Sequence, residues 1–539
     1  MPGAKLSIAK RLTTQPLPSF DRSLLFASLL LLPMQLEQID WTATGVFVFF
    51  FILVTVLGFV AARWRAADLR SLLEWGLAGR QFGTIITWFL VGGDAYTAYT
   101  IIAVPALVYA VGAFGFFAIP YAILIYPLVF WLMPRFWVIC HQRNHITAAD
   151  LVMERFASRL LATAVAITGI IATMPYIALQ LVGMQVVITE LGISAKELPL
   201  IIAFLILALY TYTSGLRAPA MIAFVKDLMI YIVVFVAITY IPFQLGGYQA
   251  VFAACQQHFA SISRPAGLTL HPAQVAPFAT TAFGSALALL AYPHVVTAFL
   301  SASRPETIRK NAVLLPMYSI LLAFIALLGF MAIAAGVKVS DPNLAVPALF
   351  KKMFPSWFIG FSFAAIAIGA LVPAAIMSIG TANLFTRNIW RPFVDPSLSD
   401  ARESTVAKVV SLIVKAGALG FIVCLPRLYA IDFQLLGGVW ILQIFPAIVL
   451  ALFRHRVRAN AIFAGWLVGI CTGSWLGWLA EFKSIFTLSI GNQTISVYIG
   501  ILALGLNLLV CLCYSLAERL FFPVSVVSDR TEREKSITE

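Results

Sequence analysis

Apolar runs of about twenty residues recur along almost the whole chain, separated by short polar or basic breaks. A helix needs about 20 mostly apolar residues to cross the hydrocarbon core of a bilayer. By that measure the pattern predicts an all-α polytopic membrane protein with about thirteen transmembrane helices. They fall over 42–62, 83–112, 114–133, 159–190, 197–214, 219–243, 279–300, 311–336, 357–388, 406–426, 432–453, 460–480 and 497–520. The runs at 83–112, 159–190 and 357–388 exceed one straight crossing, so they are expected to be tilted, broken or extended beyond the membrane. The longest non-apolar stretch between spans lies around 244–278, and no soluble domain is expected. Residues 39–522 then form one transmembrane domain. The polar tail, 523–539, is expected to be disordered and cytoplasmic. In residues 1–38, basic positions precede a short apolar run, Leu24 to Pro33. This reads either as a signal-like segment or as sequence upstream of a true start at Met34.

Composition narrows the class. Hydrophobic residues make up 61% of the chain and charged residues 11%, with a mean hydropathy of +0.95. Ordinary soluble domains carry roughly a quarter charged residues. Cytosolic enzyme, nucleic-acid binder and disordered protein are thereby excluded, and the bilayer is the first partner. The net charge of +13 reads as the Lys/Arg excess of cytoplasmic loops. With the N-terminus outside, 24 Lys/Arg fall on the cytoplasmic side and 11 on the other, leaving Lys415 within a span. The expected setting is the cytoplasmic (inner) membrane, N-terminus outside and C-terminus inside. The six cysteines show no metal-ligand spacing, and no P-loop or nucleotide motif is present. No cofactor is expected, and transport driven directly by ATP is not indicated.

Polar groups inside spans are costly and therefore functional candidates. The second span reads Gly92-Gly93-Asp94-Ala95-Tyr96-Thr97-Ala98-Tyr99-Thr100. The glycine pair invites the helix to unwind, freeing carbonyls that, with Asp94, would coordinate a cation. The restarted half-helix would offer free N–H groups to an anion. Five spans later, Tyr292-Pro293-His294 breaks the seventh span. Pro175 and Pro373 lie in the fourth and ninth, again five spans apart. Two pairs at one offset predict a 5+5 inverted repeat, about 83–243 and 279–453. Ser378 and Thr381 share a face of the ninth span and would supply further oxygens. Asp227, beside Lys226, reads either as a cytoplasmic-edge ion pair or as an inward gate for the coupling ion. Lys415 either snorkels or meets an intramembrane anion. Tyr96, Thr100, Tyr176, Gln180, His294, Trp440 and Gln443 are candidates to line a small substrate pocket, packing being the alternative for each.

Several stretches resemble the sodium:solute symporter family, and within it the bacterial permeases for small monocarboxylates such as lactate and pyruvate. They are Trp88 to Tyr121, Met174 to Met184, Tyr210 to Tyr231, Pro355 to Asn388 and Leu435 to Gln443. The resemblance covers about 38–520. It implies a leucine-transporter-like fold of thirteen helices. It also implies a cation site of main-chain carbonyls at the first core break, matched by Gly92 to Ala95, with hydroxyls from the eighth core helix. There Ala375 and Ser378 match, while Ile379 stands where a second hydroxyl is usual. Asp227 matches an acidic position, but Lys226 replaces the usual threonine. Losing one oxygen weakens a hard-cation site, so the coupling ion stays open between Na+ and H+, the latter carried by Asp94 or Asp227.

The reading is a non-enzymatic secondary symporter that imports a small organic monocarboxylate on a cation gradient. A carrier for amino acids or another small solute is the alternative within transport. A transporter-like sensor is the alternative outside it.

Overall fold

The structure, a computed structural model, describes residues 39–63, 68–93, 96–192, 198–262, 265–424, 430–453, 457–491 and 493–521. The expected N-terminal extension and tail, and the candidates Asp94 and Ala95, lie outside the described residues.

Helices lie over every predicted segment. The chain begins with α1 (Trp41–Val60), capped where Asp40 accepts from the Ala43 amide at 3.0 Å, and the short α2 (Leu72–Leu77). The second span is divided into α3 (Thr84–Gly93) and α4 (Val104–Val111), the latter preceded by one π-helical turn, Tyr99–Ala103. Then come α5 (Ala118–Gln142), α6 (Ala148–Phe156), α7 (Arg159–Glu190), α8 (Leu198–Ser214), α9 (Arg217–Gln244) and α10 (Tyr248–Ala260). The seventh span is likewise divided, into α11 (Pro272–Ala291) and α12 (Pro293–Leu300). After these follow α13 (Pro305–Leu314), α14 (Pro316–Ala334), α15 (Ala345–Met353), α16 (Ser356–Phe385), α17 (Asp400–Cys424), α18 (Ala430–Ile441), α19 (Phe445–Ala451) and α20 (Ala459–Leu479). The chain ends in α21 (Ile499–Phe521). By length and apolar composition, 10 helical stretches among the described residues can cross a bilayer.

Both interruptions fall where the sequence places them. Tyr292 is extended (φ −65°, ψ 136°), because Pro293 has no N–H to continue the ladder. Pro175 and Pro373, in contrast, sit inside unbroken helices, α7 and α16. These two helices pack against each other at the centre. In α16, 94% of its apolar window is buried, against 22% in α1 and 28% in α20. So α16 is a core rod, and the outer helices present their leucines and phenylalanines to lipid.

The all-helical expectation gives way at one place. Strands β1 (Ile485–Ile490) and β2 (Gln493–Tyr498) form an antiparallel hairpin, with Ile485 opposite Tyr498 and Ile490 opposite Gln493. The hairpin delivers Tyr498 into the core, where its amide donates to Thr280 Oγ1 at 3.1 Å and its hydroxyl to the Leu435 carbonyl at 2.7 Å. The stretch around 244–278 also carries structure, α10 and the first turns of α11.

Candidate functional site

The first break is built by close approach. A Cβ on Gly92 would lie 2.2 Å from the Tyr318 ring, and one on Gly93 would lie 3.1 Å from both Lys226 Nζ and Asp227 Oδ2. Only glycine lets α3 come this near to α9 and α14. Lys226 and Asp227 are both fully buried. This corrects the expectation of an edge pair. Helix α9 starts at Arg217, so Lys226 stands about 13 Å along it, at 1.5 Å per residue. The Lys226 ammonium donates to the carbonyls of Gly93 and, at 3.1 Å, Tyr96, and pairs with Asp227 Oδ1 at 3.0 Å. Tyr318 donates its hydroxyl to Asp227 Oδ2 at 2.8 Å, and Tyr96 donates to the Tyr318 carbonyl at 3.2 Å. Rings of Trp88, Tyr96 and Tyr231 pack around Tyr318. A buried ion pair needs close pairing and further hydrogen bonds to offset its desolvation, and here the Gly93 and Tyr96 carbonyls and the Tyr318 hydroxyl supply them.

The donors beyond the break are also engaged. Tyr96 N–H donates to the Gly93 carbonyl at 3.2 Å, Thr97 N–H to Thr100 Oγ1 at 2.9 Å, Ala98 N–H to Gln180 Oε1 at 3.1 Å and Tyr99 N–H to Thr97 Oγ1 at 3.0 Å. Thr100 and Gln180 are thus helix caps, and among the described residues from Tyr96 to Tyr99 the expected free N–H groups are not on offer. Gly183, one turn beyond Gln180 on α7, lets the restarted helix sit close: its Cβ would meet Ala98 Cβ at 2.2 Å.

The second break gathers a polar-aromatic cluster. The His294 ring lies 5.4 Å from that of Tyr176 and 5.2 Å from that of Tyr292, with Tyr176 and Tyr292 5.5 Å apart. Helix α16 abuts this break at Gly380, whose Cβ would stand 2.8 Å from the Pro293 carbonyl. Tyr292 and Tyr498 turn their hydroxyls onto the glycine pair of α18, donating to the Gln434 and Leu435 carbonyls. A cavity of about 60 Å³ lies between the two breaks, lined by Val91, Tyr121, Tyr126, Tyr176, Leu289 and Val295, among others. The Tyr99 ring is 6.3 Å from that of Tyr121, and its buried hydroxyl has no hydrogen-bond partner among the described residues.

Other candidates lie elsewhere. Trp440 donates to Ser474 Oγ on α20 at 3.2 Å. Gln443 donates to the Val439 carbonyl and accepts from Asn507 on α21. Both face the C-terminal helices, not the tyrosine cluster. Ser378 and Thr381 donate to carbonyls of their own helix, Ala375 at 2.8 Å and Met377 at 2.7 Å. Ser378 stands two residues from Gly380, at the level of the second break. Lys415 is fully buried, and its ammonium has no hydrogen-bond partner among the described residues.

Residues 75–469 match the sodium:solute symporter family. The chain belongs to that family. It is 56% identical over 474 residues to a monocarboxylate transport permease protein of Rhizobium johnstonii, covering 88% of this chain and 96% of that one. It is 34% identical to the uncharacterised symporter YodF of Bacillus subtilis, over 77% of this chain and 84% of the other. Among solved structures, a Na+-coupled sialic acid symporter in a substrate-bound outward-open state superposes with a TM-score of 0.72 at 15% identity. The match covers 91% of this chain and 100% of that one. The symporter therefore has the leucine-transporter-like fold with two broken first helices.

Four residues that organise the symporter's centre are absent from the sequence candidates: Tyr318, Tyr121, Tyr99 and Tyr498. The signal available for the first was a tyrosine inside an otherwise apolar run, Pro316-Met-Tyr318-Ser-Ile.

Proposed function

We propose that this symporter imports a small organic monocarboxylate on a cation gradient, through a site between the two helix breaks. One observation carries the reading: the space between the breaks is about 60 Å³ and its polar lining is tyrosine hydroxyl. One water takes about 30 Å³ of liquid, so in this conformation the space equals about two waters; modest widening on opening would admit a small solute, whereas a sugar would need far more. Tyr121 and Tyr176 line this space, and Tyr99 stands beside it with its ring 6.3 Å from that of Tyr121; on substrate entry these hydroxyls would turn to a carboxylate, and the small apolar walls of Val91, Leu289 and Val295 suit a short carbon chain. The permease named above for monocarboxylate transport, matched over nearly its full length, supports the same class.

In this reading the Lys/Arg-rich end faces the cytoplasm and the β-hairpin faces outside, in the inner membrane. Rocking of one bundle against the other would expose the site alternately. Purified protein in liposomes should accumulate labelled lactate or pyruvate under an imposed cation gradient. Absence of uptake under both sodium and proton gradients would remove the monocarboxylate reading. Hydrogen bonds to a charged group contribute about 1.5–3 kcal/mol. Tyr99→Phe and Tyr176→Phe should therefore each raise the KM for uptake at least about tenfold.

A further inference from the structure

A sodium:solute symporter of this fold is expected to hold a metal cation against carbonyls at the first helix break. The described residues do not fit that expectation. The carbonyls of Gly93 and Tyr96 converge on Lys226, a fully buried lysine from α9. We propose that the Lys226 ammonium is the resident cation of this break, a tethered charge standing where a sodium ion would otherwise be bound. It deepens the cation half of the function proposed above and is independent of which solute is carried.

Three observations carry the assignment. First, the ammonium is engaged. A lysine ammonium has three N–H donors; Lys226 donates to two main-chain carbonyls, and its charge is paired with Asp227 Oδ1 at 3.0 Å. Second, the counter-charge that the described residues supply is already used. Asp227 gives one oxygen to Lys226 and the other to the Tyr318 hydroxyl at 2.8 Å. Third, the described residues crowd closely around the first cation. The glycine pair has brought α3 so close that a single added methyl at Gly93 would lie 3.1 Å from Lys226 Nζ. Two positive charges at such range repel strongly in a site shielded from water. Lys226 is therefore a residue that sets ion selectivity by filling the site itself.

Binding of ²²Na⁺ to the purified full-length protein tests this without any substrate. The wild type should show only background binding. Lys226→Ala leaves the two carbonyls and Asp227 facing the space of the lost ammonium and its three methylenes. That variant should bind ²²Na⁺ saturably, at least about tenfold above the wild type, and added ammonium ion should compete. Saturable binding by the wild type overturns the proposal. So does background binding by a Lys226→Ala protein that elutes as a single folded species, since the oxygens then form no cation cradle. Should the variant not fold, the wild-type result alone decides in the same sense. A failure of monocarboxylate uptake leaves all of these outcomes unchanged.

Discussion

Glycines in this protein divide sharply by what a methyl group would meet. At Gly45, on the lipid-facing side of α1, an added Cβ has nothing within 4 Å, whereas at Gly92 it overlaps the Tyr318 ring at 2.2 Å. Overpacking a fixed core typically costs about 1–3 kcal/mol. Gly92→Ala should therefore lower the melting temperature and the uptake rate, while Gly45→Ala leaves both within error. Equal effects of the two would mean that Tyr318 moves aside freely. Gln180 allows a second test. Its side chain caps the Ala98 amide at 3.1 Å inside the core, and loss of a cap costs about 1 kcal/mol, more where the orphaned N–H is buried. Gln180→Leu, similar in volume, should destabilise the purified protein by about 1–3 kcal/mol with no substrate present. A stability equal to wild type would place the cap elsewhere.

At the scale of elements, the two breaks were legible because they rest on local covalent facts. Pro293 cannot donate to the ladder, and Gly92-Gly93 is a weak place in any helix. Which face each helix turns inward was not legible. A helix apolar all round carries no amphipathic signal, so Trp440 and Gln443 read as pocket residues although they serve the seam with α20 and α21. The choice between an edge pair and an inward gate for Lys226 and Asp227 was not legible for another reason: the Lys226 acceptors, Gly93 and Tyr96, are 130 or more positions away in sequence. The hairpin over 485–498 carries no signal of span length, since its two strands are six residues each and partly polar. The same limits define a prediction for α16. Gly380 lets this rod touch the Pro293 backbone, and a Cβ there would lie 2.8 Å from backbone atoms that cannot rotate away. Gly380→Val should thus abolish transport more completely than Gly477→Val, where the nearest atom is the flexible Leu436 side chain at 3.8 Å. Similar activity in the two would detach the second break from α16.

Across the whole molecule, wide mouths at both ends narrow to a packed centre. At the hairpin end, a cavity of about 680 Å³ is lined by Phe114, Asp341, Asp432, Leu435 and Lys483, among others. At the arginine-rich end, one of about 490 Å³ is lined by His145, Asp150, Arg387, Asn388 and Arg391, among others. Inward of that second mouth, the space between Thr147, Thr297 and Gly380 falls to about 10 Å³. The closure is polar. Thr147 donates to Asn388 at 2.7 Å, Asn388 donates to Asp150 at 2.7 Å, and Arg387 grips Glu403 at 2.9 and 3.0 Å. Glu403 is 2% exposed and is shared with Arg391 at 3.4 Å. It ties α17 to the end of α16, while Asp150 ties α6 to the same end. Under the rocking proposed above, opening this end would part α16 from α17 and break that tie, so the tie would favour the closed state. Glu403 is buried while its arginines are partly exposed, so removing its charge weakens the arrangement that contains it, by less than in a fully buried pair. Glu403→Gln should therefore shift the population toward the state open at the arginine-rich end. Thr297→Cys, 2% exposed in the parent as threonine, reports that shift in a background with Cys424, Cys471 and Cys513 replaced by serine. Adding Glu403→Gln should speed its maleimide labelling at least about fivefold, the low end of ordinary coupling between distant elements. An unchanged rate would mean that the Arg387–Glu403 pair holds α16 and α17 together in both states, and that closure at this end lies in the Thr147–Asn388–Asp150 contacts instead.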